Sequence, residues 1–204
     1  MGVRKLSNIG GWTSKTSYTS MLAGNAVFEP WDPSGAYDSI ATATLASDTA
    51  SITFSGIPST YTHLQIRGIL RSASGTTAYS VAIRANGDTG SNYSNHLLSG
   101  DGSSASVDYI ANFNQPYLLV APGPSNAGQI YGGTVLDILD YKNTNKYKTI
   151  RSLVGYDANG SGQTRISSAL WMNTSAITSF TIFGYNSGIL TAGTSLALYG
   201  IKGA

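Results

Sequence analysis

Two histidines, one glutamate and no cysteine are most of what this chain offers to acid–base, nucleophilic or metal chemistry, and charged residues make up only 11% of it. An enzyme needs acids, bases, nucleophiles or metal ligands that converge, and few combinations here supply them. His96 and Asp101 could join one of many serines as a hydrolase triad, but no nucleophile-elbow pattern accompanies them. His63, next but one to Tyr61 at the start of an apolar–polar alternation, reads as a structural hydrogen-bonding residue. A glycosidase needs two placed carboxylates. Asp137 and Asp140 are the closest pair within one strand, and a polar outer strand face explains them. Asp157-Ala158-Asn159-Gly160-Ser161-Gly162 looks like the first half of a calcium loop, with oxygen ligands at alternate positions and then glycine. The closing acid is missing, because Ser168 stands in its place, and a hairpin turn accounts for the same residues. The expectation is a protein without catalytic residues, metal ligands or cofactor.

One loop could bind rather than react. Asn86-Gly87-Asp88-Thr89-Gly90-Ser91-Asn92-Tyr93 is polar with a single aromatic. In a glycan-contact reading, Asn86, Asp88 and Asn92 take sugar hydroxyls and Tyr93 stacks on a pyranose face. The plainer reading of the same residues is a long turn. The chain has thirteen tyrosines; tyrosine gives large contact area at small entropic cost and is favoured at interfaces.

The elements that must position these residues are strands. Ser51–Ser55 alternates polar and apolar and is ended by Gly56 and Pro58. Residues 64–71 alternate too, which points Leu64, Ile66 and Ile69 inward and Gln65 and Arg67 outward. Residues 79–85 repeat the pattern with Val81 and Ile83 inward. Further strands are expected at 92–99, 105–112, 115–120, 129–141, 147–156, 163–173, 177–184 and 195–202. No amphipathic helix longer than about two turns is visible. Many short strands at regular spacing predict an all-β fold, a two-sheet antiparallel β-sandwich of jelly-roll type with an extended N-terminal arm. The sandwich is expected over 36–204 and the arm over 1–35.

The arm has no lasting period. It carries Trp12, Tyr18, Phe28 and Trp31, the last within Glu29-Pro30-Trp31-Asp32-Pro33. That is more apolar surface than a flexible linker carries, so these four aromatics are expected to anchor the arm on the body or on a neighbouring protein. Net charge is +2, and Lys and Arg occur singly or in small groups such as Arg4-Lys5, which excludes a basic stripe for nucleic acid. No segment reaches the ~20 apolar residues of a membrane helix. The start, MGVRKLSNIGGW, has no apolar run of signal-peptide length.

Four blocks in order carry a resemblance: Ile57–Gly68 (IPSTYTHLQIRG), Asn86–Tyr93 (NGDTGSNY), Asp137–Thr149 (DILDYKNTNKYKT) and Ser195–Lys202 (SLALYGIK). Over about residues 36–202 the chain resembles a family of tailed-bacteriophage virion proteins, with tail or fibre components among its members. The family has no catalytic motif to transfer. The resemblance implies a non-enzymatic virion protein assembled in a host cytoplasm. Residues 1–35 would anchor it to other virion proteins, and its sandwich would be exposed to a host-surface glycan. By analogy it implies a homo-oligomer, a trimer favoured. A head decoration, a tail adaptor or a carbohydrate-binding module would share these features.

Overall fold

The computed structural model describes residues 36–202. The expected arm and its aromatics Trp12, Tyr18, Phe28 and Trp31 lie outside these residues. Twelve strands are formed: β1 (Tyr37–Thr44), β2 (Ser51–Ser55), β3 (His63–Leu70), β4 (Ala78–Ala85), β5 (Tyr93–Gly100), β6 (Ala105–Phe113), β7 (Tyr117–Pro122), β8 (Gly132–Leu139), β9 (Lys148–Asp157), β10 (Gly162–Trp171), β11 (Ser179–Gly184) and β12 (Ser195–Ile201). A single 3-10 turn, Tyr185–Ser187, follows β11.

All pairings are antiparallel, and they make two sheets. The larger runs β1-β12-β3-β8-β9-β10-β5-β6 and the smaller β2-β11-β4-β7. Set β5, β6, β9 and β10 aside, and the other eight strands pair first with last, second with seventh, third with sixth and fourth with fifth. That nesting is a long antiparallel ribbon rolled into two sheets, the jelly roll. The hairpins β5–β6 and β9–β10 are insertions, and both extend the large sheet beyond β8.

Alternation decides what is buried. The core between the sheets takes Leu64 and Ile66 from β3, Leu136 and Ile138 from β8 and Leu196 and Leu198 from β12. Facing them are Ile52 and Phe54, Val81 and Ile83, and Phe180 and Ile182 of the small sheet. Two polar anchors lock loops onto this body. Arg71, buried, donates to the carbonyls of Asn126, Ala127 and Ile130 at 2.8–2.9 Å. Lys148, fully buried, donates to the carbonyls of Lys146 and Thr174.

Three local expectations are corrected. Ile69 points outward and is 44% exposed, because alternation continues unbroken through Gly68 to the buried Leu70. The strand expected at 129–141 covers only Gly132–Leu139. Asp140 therefore shares no strand face with Asp137: it lies past the strand end, in the left-handed region at φ 48°, a turn geometry that Asp tolerates better than most residues.

Candidate functional site

The polar loop after β4 is solvent-facing but tied to the body by its side chains. Asn86 sits at φ 50° and its side-chain carbonyl accepts the Thr178 and Ser179 N–H groups, while its amide donates to the Ala176 carbonyl. Asp88 accepts from the Gly90 N–H at 2.8 Å, the Asn92 amide at 2.9 Å and the Trp171 indole N–H at 2.8 Å. Burial opposes its ionisation, but the bonds from Asn92, Trp171 and Gly90 outweigh burial and hold its carboxyl below the usual range. Tyr93 is not a loop residue: it opens β5, is fully buried and stacks on Trp171 at 6.4 Å between centroids. Its hydroxyl accepts the Ala85 N–H at 3.1 Å, and burial pushes its phenol up to about 12. The glycan-contact reading of this loop is corrected for Tyr93. Tyr93 has no open ring face, while Asn86, Asp88 and Asn92 make hydrogen bonds that hold the loop and remain partly or fully exposed.

The other sequence candidates are also placed. Asp101 closes the β5–β6 turn by accepting the N–H groups of Ser103 and Ser104. It lies at least about 13 Å along the strand from His96, so no triad is assembled. His63 Nδ1 accepts the Asp140 N–H at 2.9 Å. In that state it has no proton for the Asp140 carboxylate 3.4 Å away, so that contact is not an ion pair; Lys146 is the carboxylate's cationic partner. Asp157–Gly162 forms the β9–β10 turn, with the Asn159 N–H on Asp157 Oδ1 at 2.7 Å and the Ala158 N–H on the Ser161 carbonyl at 2.7 Å. Among the described residues no three His, Cys, Asp or Glu side chains gather as a metal site.

The unexplained surface lies elsewhere, on the outer face of the large sheet where the two inserted hairpins extend it. Register aligns Leu153 of β9, Ile166 of β10, Leu98 of β5 and Val107 of β6 in one row across four strands. Their exposures are 54%, 57%, 50% and 79%. Parallel to it runs a second row, Asp137, Arg151, Ser168, His96 and Tyr109. Within that row Arg151 donates to Asp137 at 3.2 Å, and Asp137 also takes the Gln65 amide at 2.6 Å. His96 stacks on Tyr109 at 5.7 Å between centroids, with Tyr109 67% exposed. Between the two rows lies an open concavity of about 710 Å³. On the far flank of the apolar row the register brings Gly133, Gly155, Thr164, Gly100 and Ala105 together, so short side chains leave that flank low.

An exposed apolar row beside an aromatic pair and an arginine is the make-up of a binding face. Sequence reading missed it, although a signal was present. Leu97-Leu98 and Leu153-Val154 put apolar residues on both faces of strands that would need only one apolar face in a simple sandwich.

No protein-family model matches the chain, and no curated protein matches it in sequence. Among solved structures, the crystal structure of Caenorhabditis elegans galectin LEC-6 aligns over 76% of this chain and 98% of its own, with 8% identity and a TM-score of 0.32. A likeness at that score carries no argument about ligand or role.

Proposed function

We propose that the protein is a non-enzymatic structural component of a tailed-phage virion, a tail part whose jelly-roll body is exposed and binds the host surface, with residues 1–35 as its anchor. The observation that carries the binding half is the apolar row Leu153–Ile166–Leu98–Val107 beside the His96–Tyr109 pair. A strand's solvent face is ordinarily polar in an antiparallel sandwich. Four exposed branched aliphatics in register have no use in a solvated wall. The virion half rests on the resemblance of the four ordered blocks over 36–202. A second reading, a carbohydrate-binding module, is favoured by one specific feature: the Tyr109 ring, 67% exposed and stacked on His96, lines the same concavity as Arg151, and an aromatic face in a concavity with hydrogen-bonding side chains suits a sugar.

The test is binding of the purified full chain to cells of a susceptible bacterium. Saturable binding is expected. It should fall at least about tenfold, a loss of roughly 1.4 kcal/mol, in Leu98→Asp and Ile166→Asp variants that keep their melting temperature. Competition by a soluble glycan, with loss in Tyr109→Ala, would select the carbohydrate reading. No binding, together with antibody label on the head or tail shaft of intact particles, would sink the host-contact reading and leave a head decoration or adaptor.

A further inference from the structure

The apolar row does not end at a covered boundary. Its last member, Val107, lies on β6, the edge of the large sheet, and is 79% exposed. Natural sheets guard their edges with bulges, charges, prolines or short strands, and the other three edges here are guarded along their length. β1 is bulged between Ser39 and Ala41 and carries Asp38 paired with Lys202. β2 has 5 residues. β7 follows Pro116 and ends on Pro122. β6 has 9 residues with no Lys, Arg or Pro, and from Ala105 to Ile110 its register with β5 is regular.

The backbone groups on that edge can be assigned. The hairpin closes with the Asp101 N–H on the Ser104 carbonyl at 3.2 Å. Alternation then turns the groups of Ser106, Asp108 and Ile110 toward β5, and those of Ala105, Val107 and Tyr109 toward the open side. Tyr109 confirms the parity, since its N–H is met at 2.8 Å by its own neighbour, Asp108 Oδ1, and not across the strand. Asp108 is thus the one guard of the regular stretch Ala105–Ile110, beyond which a bulge at Ala111–Asn112 interrupts the edge, and Ala105 and Val107 have no strand beside them among the described residues.

We propose that β6 is a self-pairing edge: two copies of the chain join β6 to β6, antiparallel, about a two-fold axis at Val107. The occupant of the edge is a second copy because the edge is self-complementary. With Val107 on the axis, the apolar row of one copy runs end to end into that of the other, from Leu153 to the second copy's Leu153. Asp108 then faces the second copy's Ser106, and Tyr109 faces Ala105. Placing Asp108 on the axis would instead oppose two carboxylates, which is unfavourable. The contact is isologous and closes on itself, so it makes a dimer and not the trimer implied by the phage resemblance. It joins eight strands from each copy into one sheet and makes the concavity of each copy continuous with its mate's. Asp108 must release the Tyr109 N–H on pairing, which weakens the association. This inference does not depend on what the face binds.

The full chain should show a monomer–dimer equilibrium in analytical ultracentrifugation. Val107→Lys, which puts a natural edge guard on the axis, should weaken it at least about tenfold without shifting the melting temperature. The chain has no cysteine, so Val107→Cys introduces a single thiol. Directly opposed residues lie about 4.5–5.5 Å apart, inside the range a disulfide spans. Mild oxidation should therefore link Val107→Cys into a covalent dimer and leave Leu153→Cys, far from the axis, unlinked. A monomer at every concentration, which would include an edge covered by residues 1–35, overturns the proposal. So does a trimer, or a dimer that Val107→Lys leaves intact and Val107→Cys fails to link.

Discussion

Asp88 is the carboxylate on which the β4–β5 connection depends, because it takes the indole N–H of Trp171, a side chain only 1% exposed. Removing an acceptor from a buried donor costs the donor's desolvation, so Asp88→Ala should destabilise by about 1–3 kcal/mol, read as a shift in urea midpoint at neutral pH. The sign of its pH dependence follows from linkage. The folded carboxyl titrates below its ordinary value of 3.8, so its contribution is present above that value and is lost as pH falls through the folded pKa. Asp88→Asn should therefore flatten part of the acid-side loss of stability; superimposable acid profiles for the two proteins would refute this role. The same residues show where sequence reading stops. A polar run followed by Tyr93 looks like a loop with an aromatic tip. Only the alternation Tyr93, Asn95, Leu97, Ser99, all turned inward, reveals that the tyrosine starts a strand. That alternation is masked by Leu98 on the opposite face.

At the scale of elements, β2 to β12 were legible because alternation is a local property, whereas β1 (Tyr37–Thr44) was not read as a strand. Ser51–Ser55 was read to the residue, and most other bounds to within one or two. Which face a residue takes was legible only where the period was kept strictly, and β3 tests it. Ile66 is 1% exposed between the sheets, whereas Ile69 stands on the outer face. Ile66→Ala should cost about 2–5 kcal/mol, and Ile69→Ala less than about 0.5 kcal/mol, both by chemical denaturation. Equal losses would mean that β3 does not keep its alternation through Gly68. The exposed apolar row was not legible for a related reason. Leu153, Ile166, Leu98 and Val107 come from four strands spread over the chain, and nothing in any one strand says that the four exposed residues will lie in a single row. Register between strands, not pattern within them, creates the row.

At the scale of the whole described body, residues 36–202, the sandwich is a set of nested pairs with two inserted hairpins, and nesting has a kinetic consequence. The outermost pair joins Tyr37 to Ile201, so the large sheet is complete only when the two ends of the described chain meet. The two inserted hairpins are local and can form early. β12, by contrast, lies between β1 and β3 and is the single strand that bonds both. Loop closure must precede the reward of such distant contacts, and all-β domains of this kind refold in about milliseconds to seconds. Deleting residues 195–204 should therefore do more than trim an end. It removes Leu196 and Leu198 from the core and leaves β1 without a partner. The expected result is loss of the cooperative unfolding transition, followed by circular dichroism and intrinsic fluorescence. Stopped-flow refolding of the intact chain should show its main phase in that slow range. A truncated chain that still unfolds cooperatively would mean that β1 and β12 are an ornament on a body closed without them, and the first-with-last pairing would then lose its place as the fold's final step.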